Sequence, residues 1–501
     1  MSVLRRNLLW LLVSQGLTWL ISVVLLVLGP KRLDPDGFGR YVFATAYVGL
    51  FLIIGGLGTY PYITRRVAQD RAVLTPLVKA TAELKVVLAL GLSAAALGLA
   101  WMINVRGESL VLIAIGCMAM SLQLFCEVVA AGLAGMERIA GPAMWQVVQV
   151  YVGAALGLTV LLTSRSVVLF ALAVAIAWLI PLVANSLALR PHLRLIPADR
   201  TNRIRWKTII VGGAPLMLLI ALTTVYGTID IPLLNRLAGS EEVGWYSVAY
   251  KWVAMPLFIM TIVAVAFFPQ MSAAAATSMK HLAALTNRAL RLVLIVTIPA
   301  SVGMIIIASD LLHFIYGDQY NESISLMQIL AVHIPVAGVD TILVASLIAA
   351  GRQNRYVLVA LTAAILNPPL VVLAIHVTEN RYGNAAIGAA LVTVLTEVGI
   401  TVCALWMRPE GVFDRHTAGF ALRCGIASGV MAIVLWILKD AGLFVKVAAG
   451  GATYGLVSLA LGTVSAARVR ALMADIRVGR NAASVPTTDG SHEMSDTGAD
   501  R

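Results

Sequence analysis

The sequence predicts an all-α integral membrane protein of about 14 transmembrane helices, arranged as two parallel-repeat six-helix bundles plus two C-terminal helices. Three observations predict it. The 501-residue chain is 60% hydrophobic and only 12% charged, with a mean hydropathy of +0.89. Apolar runs long enough to cross a hydrocarbon core of about 30 Å recur from Asn7 to Ala466. Lysine and arginine concentrate in alternate loops.

The apolar runs are separated by charged and turn-forming residues, which divide them into fourteen predicted spans. These are 7–29, 41–60, 86–103, 110–133, 144–162, 167–189, 209–234, 243–268, 290–308, 324–350, 356–376, 383–405, 418–438 and 444–466.

The distribution of basic residues predicts the orientation. If the N-terminus and every second loop are placed on one side, that side holds 27 of the 37 lysines and arginines. The other side holds 9, and Lys251 lies within a span. Cytoplasmic loops of membrane proteins carry the basic excess. We therefore expect a multi-pass protein of the cytoplasmic (inner) membrane with both termini in the cytoplasm.

Composition and missing motifs exclude several classes of function. The net charge of +12 is spread over the cytoplasmic loops, where it faces anionic membrane lipids, so no nucleic-acid partner is expected. All four cysteines lie in predicted spans and no Cys/His spacing suggests a metal site. The sequence has no GxxxxGK[ST] loop, nucleophile elbow or zinc-binding helix. We expect no enzymatic activity and no bound cofactor.

The chain repeats itself at an offset of slightly more than 200 residues. "RLDPDGFGRYVFA" (32–44) is similar to "RLAGSEEVGWYSVA" (236–249), and further pairs follow later in each half. We interpret 1–200 and 206–410 as two six-helix bundles that enter the membrane from the same side. The remaining segments are two extra helices (415–470) and a disordered cytoplasmic tail (471–501). Chance similarity between apolar helices is the alternative interpretation.

Polar side chains mark the helix faces that meet water or another helix. In the first span Ser14, Thr18 and Ser22 lie four residues apart with Gln15 beside them. The seventh span, its predicted repeat mate, carries Tyr226 among several threonines. The two stripes predict a shared central cavity, although small polar residues at helix interfaces explain them equally well.

Asp230 and Lys251 are charged residues inside apolar spans, where charge is expensive unless it lines water or finds a partner. Both lie near the outer surface in neighbouring antiparallel helices. We predict an ion pair between them beside the central pathway. A pair that only stabilises an outer gate, or a lysine that extends to the headgroups, is the alternative.

Three further acids lie deeper in the spans: Glu127, Asp340 and Glu397. Glu127 and Asp340 are in equivalent spans of the two predicted repeats. Buried acids are candidates for function by default, although each could instead be a protonated, hydrogen-bonded carboxyl. Arg65 and Arg66 follow the second span, where they could bind the phosphates of a lipid substrate or simply anchor the loop.

The order of several motifs resembles the oligosaccharide flippase, or polysaccharide-transporter, family of the superfamily that also holds multidrug-extrusion and lipid II transporters. These motifs are the "RLxxxxxxGxY" turns, the "AGRQNR" corner and "LLHFIYGDQYNESISLMQIL" (311–330). The resemblance covers about residues 1–410. Lipid II transporters tend to carry an arginine within the first helix, whereas this helix has no charge after Arg6.

That resemblance implies that a polyprenyl-diphosphate-linked oligosaccharide crosses the membrane by alternating access between two bundles. Lys and Arg would receive the diphosphate, and polar uncharged residues would receive the sugars. An acid such as Asp230 would either form a latch between helices or carry a coupling cation, H⁺ or Na⁺. A polysaccharide polymerase and export proteins are the expected protein partners. Two alternatives remain, a cation-coupled multidrug antiporter that uses acids such as Glu127 and Asp340, and a non-transporting scaffold of a polysaccharide synthase.

Overall fold

The protein is almost entirely helical in a computed structural model, which describes residues 2–195 and 204–464. No strand occurs in these ranges, so the predicted all-α class is confirmed. The helices of the first half are α1 (Ser2–Gly56), α2 (Thr59–Gln69), α3 (Leu74–Met102), α4 (Glu108–Gly135), α5 (Ala140–Thr163), α6 (Val167–Ile176) and α7 (Leu179–Leu195).

The second half follows residues 196–205, which we call the linker, and continues into the two additional helices. Its helices are α8 (Trp206–Thr228), α9 (Asp230–Ala238), α10 (Ser240–Thr277), α11 (Met279–Tyr316), α12 (Glu322–Ala331), α13 (His333–Ala349), α14 (Gln353–Tyr382), α15 (Ala386–Met407), α16 (Arg415–Ile437) and α17 (Leu443–Ala460). The predicted tail, 471–501, lies outside the described residues.

Twelve helical segments of the described chain are long and apolar enough to cross a membrane, which makes this a multi-pass membrane protein. The first segment covers two predicted spans, and the seventh predicted span is not among the twelve. These two differences explain why twelve segments are found where fourteen spans were predicted. The division into two repeats stays a prediction.

The first two predicted spans form the two arms of α1. The chain kinks at Asp34, where φ is 60° and ψ is 170°. The Asp34 carboxylate accepts a hydrogen bond of 2.8 Å from the Gly37 amide, which caps the start of the second arm. Because residues of both arms, such as Ser22 and Tyr41, line one cavity, the chain reverses direction at this kink.

Two other predicted spans are broken helices. The seventh is divided at Ile229 into α8 and α9, so Asp230 begins a new helix. The sixth is divided at Ala177 and Trp178 into α6 and α7. Breaks inside a membrane are stable only where the freed backbone groups find partners, and they often mark transport sites.

The two halves meet along α1 and α10 in a reciprocal glycine contact. A methyl group on Gly39 would collide with the carbonyl oxygen of Ser240, and one on Gly244 would collide with the carbonyl oxygen of Pro35. Both glycines belong to the "GxY" repeat motif, and the same offset of 205 relates the two pairs. The backbones touch because no side chain separates them. We call this contact the kink-side closure, since it adjoins the kink of α1.

A second close contact joins the halves on the opposite membrane side, where the linker lies. There Leu57 and Gly58 lie between the end of α1 and the start of α2, and both have positive φ (50° and 61°). A methyl group on Gly213 of α8 would collide with the carbonyl oxygen of Leu57. We call this contact the linker-side closure. The two halves are therefore in contact at both ends of the cleft between them.

The last two helices pack on the second half through α11. The Tyr454 hydroxyl of α17 donates to the carbonyl oxygen of Ile295 at 2.8 Å. Lys446 of α17 forms an ion pair of 2.7 Å with Asp310, and its side chain is only 6% exposed. Buried charges need such partners, so this pair anchors α17 to α11.

Candidate functional site

The cleft between the halves contains a cavity of about 330 Å³ near the kink-side closure. Trp19 and Ser22 from the first arm of α1, Phe38 from the second arm and Lys251 from α10 line it. The predicted cavity residues Ser22 and Lys251 are thus brought together. Lys251 lies seven residues after Gly244, which is about 10 Å further into the membrane along the helix.

Lys251 is an exposed cation inside this cleft. Its ammonium nitrogen lies 4.6 Å from the centre of the Phe38 ring, a cation–π contact across the interface of the halves. The ion pairs of the described residues include none for Lys251. The predicted ion pair with Asp230 is therefore wrong.

The geometry of α10 explains why the pair does not form. Asp230 is 5% exposed and accepts a short hydrogen bond from the Tyr246 hydroxyl, which also lies 3.0 Å from the Thr393 hydroxyl. Lys251 follows Tyr246 by five residues, which turns it about 140° around the helix. Asp230 and Lys251 consequently face different cavities.

The acids of the second half gather around a separate cavity of about 280 Å³. The predicted residues Tyr226, Asp230 and Glu397 line it, together with residues that the sequence analysis missed: His333, Asn367 and Thr393. Asp340 is 6% exposed and is not among the residues that line this cavity. The Tyr356 hydroxyl donates to Asp340 at 3.4 Å. This acidic cavity can attract a cation.

Glu127 belongs to a different environment in the first half. The ammonium of Lys85 lies 4.0 Å from its carboxylate and donates hydrogen bonds of 2.6 and 2.9 Å to the carbonyl oxygens of Gly55 and Gly56. These carbonyls belong to the last turn of α1, whose carbonyl groups lack helical partners. Lys85 therefore caps the helix immediately before the linker-side closure.

A cavity of about 270 Å³ lies beside Glu127, between α2, α4, α5 and α7. Half of its lining residues are polar or aromatic, and the others are apolar residues such as Ile139 and Pro142. The polar and aromatic ones are Tyr60, Gln123, Glu127, Gln146, Trp178 and Asn185. Asn185 is 2% exposed, and its side-chain oxygen has no hydrogen-bond partner within the described residues.

The sequence profile of a family described as polysaccharide biosynthesis protein matches residues 4–275, more than half of the chain. The chain belongs to this polysaccharide biosynthesis protein family. A second profile, MatE, matches residues 215–373. The family resemblance predicted from the motifs is confirmed.

This family member is similar in sequence to a probable flippase and in fold to transporters of known structure. It is 24% identical to the probable flippase AglR of Haloferax volcanii over 265 residues, 50% of this chain and 53% of the relative. The match thus spans about half the length of that relative. The fold is similar to the lipid II flippase MurJ in an inward closed conformation, with a TM-score of 0.62, 13% identity and coverage of 88% and 98%. An inward-facing multidrug resistance MATE transporter gives the same TM-score at 15% identity, with coverage of 81% and 95%.

The remaining predicted residues lie away from these cavities or outside the described side chains. In this family member Arg65 and Arg66 are exposed on α2, next to the linker-side closure. Thr18 is half-buried on α1, where its carbonyl oxygen accepts a hydrogen bond of 2.8 Å from Ser22. The side chains of Ser14 and Gln15 lie outside the described part.

Lys85 is the charged residue whose position the sequence analysis misjudged. The third span was predicted to begin at residue 86, which left Lys85 in a loop, whereas α3 begins twelve residues earlier at Leu74. The sequence does indicate the longer helix. In "TPLVKATAELKVVLALG" the apolar residues recur at helical spacing before Lys85 as well as after it.

Proposed function

We propose that this protein moves a lipid-linked oligosaccharide from the cytoplasmic to the outer leaflet of the cytoplasmic membrane and catalyses no chemical reaction. Its substrate is a polyprenyl-diphosphate-linked oligosaccharide used for polysaccharide biosynthesis. The orientation is the one favoured by the basic loops, with the linker and both termini in the cytoplasm. A polysaccharide polymerase and export proteins act on the product.

The observation that carries this proposal is the exposed, unpaired Lys251 in the cleft between the halves. A diphosphate cannot enter hydrocarbon without replacing its lost hydration. An ammonium group in a cavity supplies charge-assisted hydrogen bonds to phosphate oxygens. The polar headgroup binds in the cleft beside Lys251, while the polyprenyl chain stays in the lipid.

Alternating access then requires the two closures to open in turn. Each closure is a backbone contact between the halves, made by Gly39 and Gly244 on the kink side and by Leu57 and Gly213 on the linker side. Opening the linker-side closure admits the headgroup from the cytoplasm, and opening the kink-side closure releases it. Small-residue contacts suit this role because they separate without repacking large side chains.

A cation drives the cycle from the acidic cavity of the second half. Asp230 and Glu397 concentrate negative charge there, and Asn367 and Thr393 add neutral oxygen ligands. Either H⁺ or Na⁺ relieves the repulsion of the carboxylates. Asp230 connects the cavity to α10 through Tyr246, so occupancy of the cavity acts on the helix that carries Lys251 and Gly244.

The test is to delete the gene and locate the accumulated lipid-linked oligosaccharide by its accessibility in right-side-out and inverted vesicles. We expect accumulation in the cytoplasmic leaflet that the wild-type gene reverses and the gene for Lys251→Met does not. Normal delivery to the outer leaflet in the deletion strain would refute the proposal.

The acidic cavity and the MatE match favour a second candidate function, a cation-coupled multidrug antiporter. Such a protein would bind flat organic cations at its carboxylates. Growth of the deletion strain in the presence of cationic dyes separates the two functions. Increased dye sensitivity with normal oligosaccharide transfer favours the antiporter.

A further inference from the structure

The proposed function gives no role to the polar cavity of the first half. It is lined by the Glu127 carboxylate, the amides of Gln123, Gln146 and Asn185, and the rings of Tyr60 and Trp178. We propose that this cavity binds sugar residues of the lipid-linked oligosaccharide, so that the headgroup extends from Lys251 into the first half. This inference rests on the proposed function and adds a sugar subsite to it.

One further cavity lies between the cleft cavity and the proposed subsite. The cleft cavity shares Tyr41 and Val174 with a cavity of about 220 Å³ between α1, α4 and α6. That cavity shares Gln123 and Trp178 with the polar cavity. A chain of adjoining spaces thus runs from Lys251, near the kink side, to Tyr60, near the linker side. An elongated headgroup matches this shape better than a compact ligand does.

The side chains of the polar cavity match the chemistry of a sugar. Hydroxyl groups donate and accept hydrogen bonds, and so do the side-chain amides of Gln146 and Asn185. The C–H faces of a sugar ring pack on aromatic rings such as that of Trp178. Asn185 is almost fully buried with an unsatisfied side-chain oxygen, which costs free energy until a donor arrives. A sugar hydroxyl supplies that donor.

Charge excludes other ligands from the cavity. The Glu127 carboxylate, 30% exposed, repels a phosphate group, so the diphosphate stays near Lys251. A metal cation is disfavoured by the buried ammonium of Lys85, 4.0 Å from the same carboxylate. No lysine or arginine is among the described residues that line the acidic cavity of the second half, so that cavity is available to the coupling ion. The two halves therefore differ in what they bind.

Photocrosslinking tests the subsite in cells that make the oligosaccharide. The photoreactive amino acid p-benzoylphenylalanine is introduced at Gln146 in the polar cavity, at Met255 in the cleft, or at Val183, an exposed residue of α7. After illumination the protein is purified and its adducts are analysed for polyprenyl and sugar by mass spectrometry. We expect sugar-bearing adducts at 146 and 255 and none at 183.

The other outcomes separate the inference from the function on which it rests. A sugar-bearing adduct at 255 without one at 146 overturns the subsite and leaves the proposed function standing. Phospholipid alone at 146 also overturns the subsite. Absence of sugar-bearing adducts from all three positions overturns the proposed function itself.

Binding by variants of the complete protein provides a second test. Asn185→Leu removes the unsatisfied amide, and Leu187→Ala changes an exposed residue of the same helix as a control. The probes are the lipid-linked oligosaccharide extracted from the host and unglycosylated polyprenyl diphosphate. We expect Asn185→Leu to weaken binding of the glycosylated probe about tenfold and to leave the other probe and the control unchanged. Equal weakening of both probes would indicate a structural role for Asn185 and overturn the subsite.

Discussion

The ammonium group of Lys251 lies 4.6 Å from the centre of the Phe38 ring, and these residues belong to different halves of the protein. The lysine is therefore held at the interface that opens in the proposed transport cycle, and no carboxylate of the described residues forms an ion pair with it. Its position suits a group that binds an anion in the closed cleft and releases it when the halves separate.

Replacement of Lys251 by methionine should reduce oligosaccharide transfer at least tenfold, because a hydrogen bond to a charged group is worth about 1.5–3 kcal/mol. Lys251→Arg should retain part of the activity, since it keeps the charge. Transfer is measured in reconstituted vesicles at matched protein amounts. Lys439→Met, in the exposed loop after α16, is the control. Full transfer by Lys251→Met would contradict the assigned role.

Substitution of Gly39 by alanine should prevent the kink-side closure, because its methyl group would collide with the Ser240 carbonyl oxygen. We expect a cysteine introduced at Met255 to react faster with a membrane-impermeant maleimide added from that side, and transfer to fall at least tenfold. Gly98→Ala, in open surroundings on α3, should change neither property. An unchanged labelling rate would show that the closure tolerates the methyl group.

A disulfide between cysteines at positions 36 and 240 should lock the same closure. The Ser240 hydroxyl donates a short hydrogen bond to the Asp36 carboxylate, which also pairs with Arg40. Oxidation of Asp36→Cys/Ser240→Cys should stop transfer, and a reductant should restore it. Each single variant treated in the same way is the control. Transfer that continues in fully cross-linked protein would mean that this contact need not open.

Neutral replacement of Asp230 should uncouple transport from its cation. Asp230→Asn keeps the size of a side chain that is buried against Tyr246, but removes its charge. We expect transfer to lose its dependence on an imposed H⁺ or Na⁺ gradient and to slow about tenfold. Asp318→Asn, in an exposed turn outside the cavity, is the control. A variant that still responds fully to either gradient would exclude Asp230 as the coupling group.

Removal of Lys85 should destabilise the protein, because its ammonium is fully buried and caps the carbonyls of Gly55 and Gly56. We expect Lys85→Met to lower the free energy of unfolding by about 2–3 kcal/mol. The double variant Lys85→Met/Glu127→Gln should recover part of this loss, since it no longer leaves an unpaired carboxylate. Thermal unfolding in detergent measures both. Additive losses would indicate that Lys85 and Glu127 act independently.

Periodicity and loop charge sufficed to predict the helical class and the membrane location, since both depend on properties of long segments. The clustering of Asp230 and Glu397 could not be predicted in the same way. It depends on the break at Ile229, which turns Asp230 towards Tyr246. Gly227 and Pro232 flank this break, but the apolar residues on both sides were predicted as one continuous span. The ion pair predicted from proximity along the chain failed because helix rotation, not sequence distance, decides which cavity a side chain faces.

The kink-side closure is made of carbonyl oxygens and glycines, and neither titrates nor changes its charge with the surroundings. Acid or high salt on that side acts on this contact through the Arg40, Asp36 and Glu108 cluster, because Asp36 also accepts a hydrogen bond from Ser240 across it. The backbone contact itself should therefore hold over a wide range of acidity and salinity. In the proposed transport cycle, such a contact keeps the cleft closed on that side when the surrounding medium changes.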